Sequence, residues 1–244
     1  KEGFFALVST DGDSDRPLLS DENGEWLRGD VLGILAATAL GISSVATPVS
    51  CNTALEKCNR FKKICRTRIG SPYVIEGMES LAQDFNSIAG YEANGGFLLQ
   101  TDVEKAGKIL KALPTRDALL PIISVLVNAK NLKIKVSDLL KELPSRFSAC
   151  DRLKNFPTER SKQKIAEIKS ENLGEVLFGK FSGKLKSIDE TDGFRMTFDS
   201  EEIIHLRPSG NAPELRCYVE ATSQERAKKL LTDCIQVLES FRGE

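Results

Sequence analysis

The sequence predicts an α/β fold, a mixed and mostly parallel sheet flanked by helices, followed by an α+β domain in which helices pack on an antiparallel sheet. Three observations predict it. Through residue 143, short apolar runs that read as strands alternate with helical stripes, as in sheets covered on both faces. From 144 to 157 that periodicity is lost. Beyond it, Leu215, Cys217, Val219 and Ala221 alternate with Arg216, Tyr218 and Glu220, the pattern of a half-buried antiparallel strand. The expected divisions are 1–25, a strand and an acidic loop; 26–143, the α/β domain; and 144–244, the α+β domain.

Phe4-Phe5-Ala6-Leu7-Val8 reads as a strand that empties into an acidic turn, and Leu18 to Glu25 as a polar turn with Asn23-Gly24 at its tip. Trp26 to Leu40 reads as a helix, with Leu27, Val31, Ile34 and Leu35 at helical spacing and Gly41 placed to end it. A strand at Ser44–Val49 follows. Thr53 and Glu56 then fit a capping box opening a helix to about Lys63, with Lys63–Thr67 as the next strand. Ser71-Pro72 opens a helix whose Val74, Met78, Leu81 and Phe85 form a core stripe. Ile88–Tyr91 and Phe97–Leu99 are strands around a glycine-rich loop, and Thr115–Val127 reads as a helix that Pro121 should kink.

Pro144 to Pro157 is a connector, and Glu159–Ser170 a charged helix. Strands are expected at Leu185–Ile188, Phe194–Phe198, Ile203–Leu206 and Leu215–Ala221, with Asp192-Gly193 as a hairpin tip. Thr222-Ser223-Gln224-Glu225 caps a last helix that lays Ala227, Leu230, Leu231, Cys234, Leu238 and Phe241 on that sheet. There is no internal repeat.

Among 244 residues, 34 Lys and Arg face 35 Asp and Glu, a formal net charge of −1. No global field draws the chain to nucleic acid or an anionic membrane, and an anion site must be local. No apolar run approaches the roughly 20 residues of a membrane helix. Six cysteines without a Cys-x-x-Cys pair and a single histidine make a zinc site hard to assemble, and suit reduced thiols in a cytoplasmic protein. Lys1-Glu2-Gly3 has no Met and enters a strand at once, so the chain reads as cut from something longer.

Three stretches carry chemistry. In Thr10-Asp11-Gly12-Asp13-Ser14-Asp15-Arg16-Pro17, glycine and serine let a tight turn converge the carboxylates of Asp11, Asp13 and Asp15 on one cation, with Arg16 beside it. Hard oxygen ligands select Mg²⁺ or Ca²⁺. Asp11, Asp13, Asp15, Leu18 and Glu22 also fall on EF-hand positions, but Arg16 stands where that loop needs its glycine. In Gly90-Tyr91-Glu92-Ala93-Asn94-Gly95-Gly96, a carboxylate and an amide two residues apart suit a sugar diol, and Gly95 lets the backbone approach a ligand. In Arg207-Pro208-Ser209-Gly210-Asn211-Ala212-Pro213, a guanidinium, a hydroxyl, an amide and free N–H groups make a phosphate cradle. Arg216 is counted with that set, although its place on the polar face of the next strand also suits a surface or interdomain cation. His205 reads as a structural histidine.

Taken together these stretches resemble the α-D-phosphohexomutases, the phosphomannomutase/phosphoglucomutase superfamily, over nearly the whole chain. Asp11-Gly12-Asp13-Ser14-Asp15-Arg16 resembles the metal loop, the Glu92 stretch the sugar-reading loop and the Arg207 stretch the phosphate loop. The resemblance implies the C-terminal part of such an enzyme: the end of domain two with the metal loop, the sugar-recognition domain three and the phosphate-binding domain four. It implies Mg²⁺ on Asp11, Asp13 and Asp15, Arg16 in catalysis, Glu92, Asn94 and Gly95 on the sugar, and Arg207, Ser209, Gly210, Asn211 and Arg216 on phosphate. The implied reaction interconverts hexose 1-phosphate and hexose 6-phosphate of mannose or glucose through a phosphoserine and a bisphosphate. The phosphoserine would sit in N-terminal domains, in a Ser-His-Asn-Pro loop that this sequence lacks, so the chain alone is expected to be inactive. The family pattern Gly-Glu-x-Ser-Gly-His has Asn94 for Ser and Gly96 for His here. An amino-sugar phosphate mutase of the same superfamily, or a non-catalytic calcium-binding or interaction module, are the alternatives.

Overall fold

The computed structural model describes residues 3–105 and 107–242; the Lys1-Glu2 start lies outside the described residues. The chain divides into two compact units, Lys1–Pro144 and Ser145–Glu244.

In the first unit β1 (Leu7–Thr10) and β2 (Pro17–Ser20) form an antiparallel hairpin around the acidic turn, with Thr10 opposite Pro17. The strand therefore starts later than the Phe4–Val8 run, and Phe4 and Phe5 are exposed. The stretch expected to be all turn begins with a return strand instead. Proline tolerates the first position of a strand, and Leu19 alone of the pair Leu18-Leu19 enters the core. Asp21 Oδ1 accepts the N–H groups of Asn23 and Glu25, which closes the Asn23-Gly24 tip. Trp26 bridges back to Ser20, and the helix α1 (Gly29–Leu40) begins beyond it, ending on Gly41 at φ 74°. Its start is fixed by Asp30, fully buried, which accepts N–H groups from Val31 and Asn52 and pairs with Arg28.

β3 (Ser44–Pro48) is buried throughout. α2 (Ala54–Lys57) is a single turn, shorter than expected: Asn52 Oδ1 takes the Ala54 N–H, and Glu56 pairs with Arg66 rather than closing a capping box. β4 (Lys63–Thr67), β5 (Ile88–Tyr91) and β6 (Phe97–Leu99) lie where the pattern puts them, while α3 (Ser71–Leu81) stops short of Phe85, which packs partly buried against the same core from beyond the helix. A small hairpin of β7 (Val103–Lys105) and β8 (Lys108–Leu110) follows, then β9 (Leu113–Asp117). β9 occupies the segment expected to open a helix. That helix, α4 (Leu119–Leu132), starts where Asp117 Oδ1 accepts the Leu119 and Leu120 N–H groups. Pro121 thus falls in the first turn, where a missing N–H breaks no intrahelical bond. α5 (Val136–Lys141) ends the unit.

The five-stranded sheet runs β4-β3-β5-β6-β9, with β3 parallel to both neighbours and β6 antiparallel to both of its own. Both faces are buried. Ala46, Ile88 and Leu98 meet Val74, Met78 and Leu81 of α3, while Val45, Ala89, Tyr91 and Phe97 join the core containing α1 and α4 residues.

The second unit opens with β10 (Phe147–Lys154), paired over its length with the later β14 strand rather than forming a connector. It lies at the sheet edge with only Leu153 buried, so no alternation marks it in sequence. α6 (Thr158–Ser170) and α7 (Leu173–Ser182) precede β11 (Leu185–Asp189), β12 (Phe194–Phe198), β13 (Ile203–Pro208) and β14 (Glu214–Ala221). The all-antiparallel order is β10-β14-β13-β12-β11. α8 (Gln224–Ser240), capped by Ser223 Oγ on the Arg226 N–H, buries Leu230, Cys234 and Leu238 with Leu215, Cys217 and Val219. No helix among the described residues is long and apolar enough to cross a membrane.

Candidate functional site

The acidic turn is tied off by its own backbone. Asp11 N–H donates to Arg16 O at 3.2 Å, Ser14 N–H to Asp11 O at 3.0 Å, and Arg16 N–H to Asp11 Oδ1 at 3.2 Å. Of the glycine and serine expected to allow the curl, Ser14 takes the left-handed conformation, at φ 62°, and Gly12 does not. One carboxylate oxygen from each of Asp11, Asp13 and Asp15 lies within 4.8 Å of the others, close enough for one cation to bridge them. Arg16 sits over the cluster, 3.5 Å from Asp11 Oδ2 and 3.7 Å from Asp15 Oδ1. That Asp15 oxygen is buried and accepts no hydrogen bond, a lone pair suited to a hard cation. Leu18 and Glu22 stand apart from this turn: Leu18 is in β2, and Glu22 binds the Ser137 N–H at 3.3 Å. Those two EF-hand positions are thus otherwise engaged.

The Glu92–Gly96 stretch, expected to read a sugar, is a tight turn between β5 and β6. Gly95 N–H donates to Glu92 O at 2.9 Å, Glu92 N–H to Gly96 O at 3.0 Å, and Gly96 N–H to Asn94 Oδ1 at 3.0 Å. Glu92 is 6% exposed, and Asn94 is exposed. Burial pushes the Glu92 pKa up, against the pull of Arg116, the Asn94 side chain and Arg16. An ionised carboxylate held in such surroundings gains more from a hydroxyl donor than one in water.

The two turns meet. Gly95, at φ 93°, has no room for a Cβ, which would stand 2.9 Å from Pro17 Cγ, while a Cβ on Gly29 would stand 2.2 Å from Gly95 N. Arg116, at the end of β9, spans the gap: Nη2 lies 2.7 Å from Asp15 Oδ2 and Nη1 4.0 Å from Glu92 Oε2. The residue order hides this arginine, because Thr115–Val127 reads as a helix. Asp117 as a cap and Pro121 in a first turn were the signals that the helix starts later.

In the second unit, of the residues expected to cradle a phosphate, Ser209, Gly210 and Asn211 form the turn from β13 to β14, Arg207 lies in β13 and Arg216 in β14. Ser209 is buried, its N–H donating to Glu214 O at 2.9 Å and its Oγ accepting the Asn211 N–H at 3.4 Å. Gly210 and Asn211 are exposed. Arg207 is held by Asp192, with Nε 2.9 Å from each carboxylate oxygen. Strand register places Arg207 opposite Arg216, and Arg216 opposite Arg152, so three guanidinium groups share one level of one sheet face. Like charges so placed repel. Glu214 lies between two of them, 3.1 Å from Arg152 and 3.9 Å from Arg216. The residue order hides Arg152 as well, since Pro144 to Pro157 reads as a connector. His205 is 1% exposed, stacks on Tyr218 and donates from Nε2 to Asp192 O at 2.6 Å.

Residues 28–147 match the family model described as phosphoglucomutase/phosphomannomutase, alpha/beta/alpha domain III, and residues 132–236 match the C-terminal domain of the same family. The chain belongs to the phosphoglucomutase/phosphomannomutase family. The acidic turn precedes both matched segments, but longer alignments include it. The chain is 49% identical over 245 residues to a phosphomannomutase of Salmonella muenchen, covering 98% of this chain and 50% of that protein. It thus spans about half the length of the curated relatives it matches. By fold it is similar to a phosphoglucomutase/phosphomannomutase family protein of Burkholderia thailandensis, with a TM-score of 0.70 at 17% identity, covering 97% of this chain and 47% of that one. It is also similar to the N-acetylphosphoglucosamine mutase of Aspergillus fumigatus in complex with GlcNAc-6P and magnesium, with a TM-score of 0.66 at 17% identity, covering 97% of this chain and 49% of that one.

Proposed function

We propose that the chain is the sugar- and phosphate-handling part of a phosphohexomutase that interconverts the 1- and 6-phosphates of mannose or glucose. The observation that carries this reading is the bridge from Asp15 through Arg116 to Glu92, which joins a cation-binding turn to a sugar-reading turn within one unit. Asp11, Asp13 and Asp15 would hold Mg²⁺, which would screen charge on a phosphoryl group in transfer. Arg16 adds a fixed positive charge at the same place. Glu92 accepts hydrogen bonds from sugar hydroxyls while Asn94, exposed at the turn, donates and accepts, so the pair grips adjacent hydroxyls in either orientation of the ring. In the second unit the Gly210 N–H, the Ser209 hydroxyl, the Asn211 side chain and the arginines at 207 and 216 offer a phosphate both hydrogen-bond donors and charge.

The phosphoserine of such a reaction has no place in this sequence. Its single histidine, His205, follows Ile204, so no Ser-His pair exists to form the loop that the resemblance implies. The donor would come from a preceding segment of a longer polypeptide, in keeping with relatives of about twice the length.

The test has two arms. Incubated with glucose 1-phosphate, Mg²⁺ and glucose 1,6-bisphosphate, the 244-residue chain should form no glucose 6-phosphate; turnover would refute the need for an outside phosphoserine. In calorimetry the same chain should bind Mg²⁺ and mannose or glucose 6-phosphate. Tighter binding of glucosamine 6-phosphate would move the reading to an amino-sugar mutase, and selective Ca²⁺ binding without any response to hexose phosphate would replace it with a calcium module.

A further inference from the structure

Arg116 lies between two carboxylates that each keep a buried, unsatisfied oxygen. Asp15 Oδ1 and Glu92 Oε2 accept no hydrogen bond, while the Arg116 fork reaches 2.7 Å from Asp15 Oδ2 and 4.0 Å from Glu92 Oε2. Its aliphatic stem rests on Gly96, where a Cβ would stand 3.0 Å from Arg116 Cδ. A side chain at position 96 and Arg116 would therefore compete for one space. The resembling pattern has a histidine there, whereas this chain fills the space with a cation from β9.

Asp15 is shared. A divalent ion drawn to Asp11, Asp13 and Asp15 meets the guanidinium already on Asp15, and two cations on one carboxylate repel each other. The fork has another carboxylate within reach in Glu92, in a site where burial strengthens such contacts.

We propose that Arg116 is a positioning residue that couples the two turns. Without a divalent cation it is the counter-ion of Asp15; when one enters the acidic turn, Arg116 is displaced toward Glu92 and the phosphorylated sugar. Metal entry thus prepares the sugar-reading turn. Linkage then requires that sugar phosphate tighten metal binding by the same factor. The inference rests on the reading of the site given above and deepens it, turning the static bridge through Arg116 into a coupling between metal and sugar.

Calorimetric titrations of the whole chain with Mg²⁺ and with glucose 6-phosphate, each with and without the other, test it. In the wild type, Mg²⁺ should lower the Kd for glucose 6-phosphate by about fivefold or more. In Arg116→Ala, Mg²⁺ should bind about tenfold tighter, its competitor for Asp15 being gone, yet no longer change the affinity for glucose 6-phosphate. Gly96→Ala, which keeps the charge but pushes the stem aside, should shift both quantities in the same directions and serves if Arg116→Ala fails to fold. Persistent Mg²⁺ enhancement in Arg116→Ala would trace the coupling to direct metal–phosphate contact and overturn the role of Arg116, as would unchanged Mg²⁺ affinity. If the wild type binds neither probe, the reading of the site itself falls, and the role of Arg116 with it.

Discussion

Gly29, the first residue of α1, and Gly95, in the turn between β5 and β6, touch backbone to backbone: a Cβ on Gly29 would stand 2.2 Å from Gly95 N and 2.4 Å from Asn94 C. Both obstacles are main-chain atoms, which no rotamer change can move. Gly29→Ala must therefore shift the helix or the turn that carries Glu92. The expected loss of stability is about 1–3 kcal/mol, as for overpacking elsewhere, together with weaker hexose phosphate binding. Gly12→Ala is the control, because no atom lies within 4 Å of a Cβ there and its φ is not positive. Melting midpoints that fall equally in the two variants would show that the contact carries no weight.

The acidic turn makes a second prediction through Ser14. At φ 62° this residue occupies the left-handed region, which costs an L-residue roughly 1–2 kcal/mol and a β-branched one most. Ser14→Val should open the turn and weaken Mg²⁺ binding by about tenfold, while Ser14→Gly should bind as the wild type or better. Calorimetry with Mg²⁺ decides it. Equal affinity in all three proteins would mean that the left-handed residue does not aim the carboxylates.

What was legible in the sequence depended on how locally each feature was encoded. The α3 stripe, the β14 alternation and the apolar face of α8 each belong to an element with one buried side, so their period survives in the residue order. β10 has no such side: at the sheet edge only Leu153 is buried, and its identity as a strand resides in its pairing with β14. The start of α4 is easily misplaced because the apolar run from Ala118 to Val127 reads as helix and Arg116 suits one by propensity, while the β-branched Thr115 favours a strand and Asp117 and Pro121 mark the true first turn. Likewise the three candidate turns stand out in the sequence because their polar groups lie in contiguous residues. Arg116 and Arg152 do not. Each is a lone arginine on a strand, and only register brings one onto Gly96 and the other beside Arg216.

The arginine row in the second unit predicts opposite effects from two neighbours. Glu214 lies 3.1 Å from Arg152 and 3.9 Å from Arg216, so it offsets positive charge that a phosphate would otherwise meet. Glu214→Gln should strengthen inorganic phosphate binding by about threefold, and Arg207→Gln should weaken it by about tenfold or more, the value of a charge-assisted hydrogen bond. Phosphate titrations at low ionic strength, where charge is least screened, check both. If Glu214→Gln weakens phosphate binding, the row acts as a structural ion-pair network and not as a cradle.

His205 predicts an acid limit for the second unit. Burial lowers its pKa from 6.5 to about 4, against the opposing pull of the Asp192 carbonyl. With Nε2 donating to that carbonyl, the proton of the neutral ring sits on Nε2, and Nδ1 is left as a buried acceptor with no partner. The folded ring stays neutral where the unfolded one takes a proton. Its contribution to stability is therefore whole above pH 6.5, falls as the pH drops below that value, and is gone below about 4. At about 1.4 kcal/mol per pH unit the loss is on the order of 3 kcal/mol. Because the sequence has a single histidine, the imidazole carbon–proton signal in an NMR titration needs no assignment. That signal should stay fixed from pH 8 to pH 5, and denaturant unfolding of His205→Asn should lose the part of its pH dependence that lies between pH 6.5 and 4. A titration midpoint between 6 and 7 would show that the ring reaches solvent and that protonating it does not oppose folding.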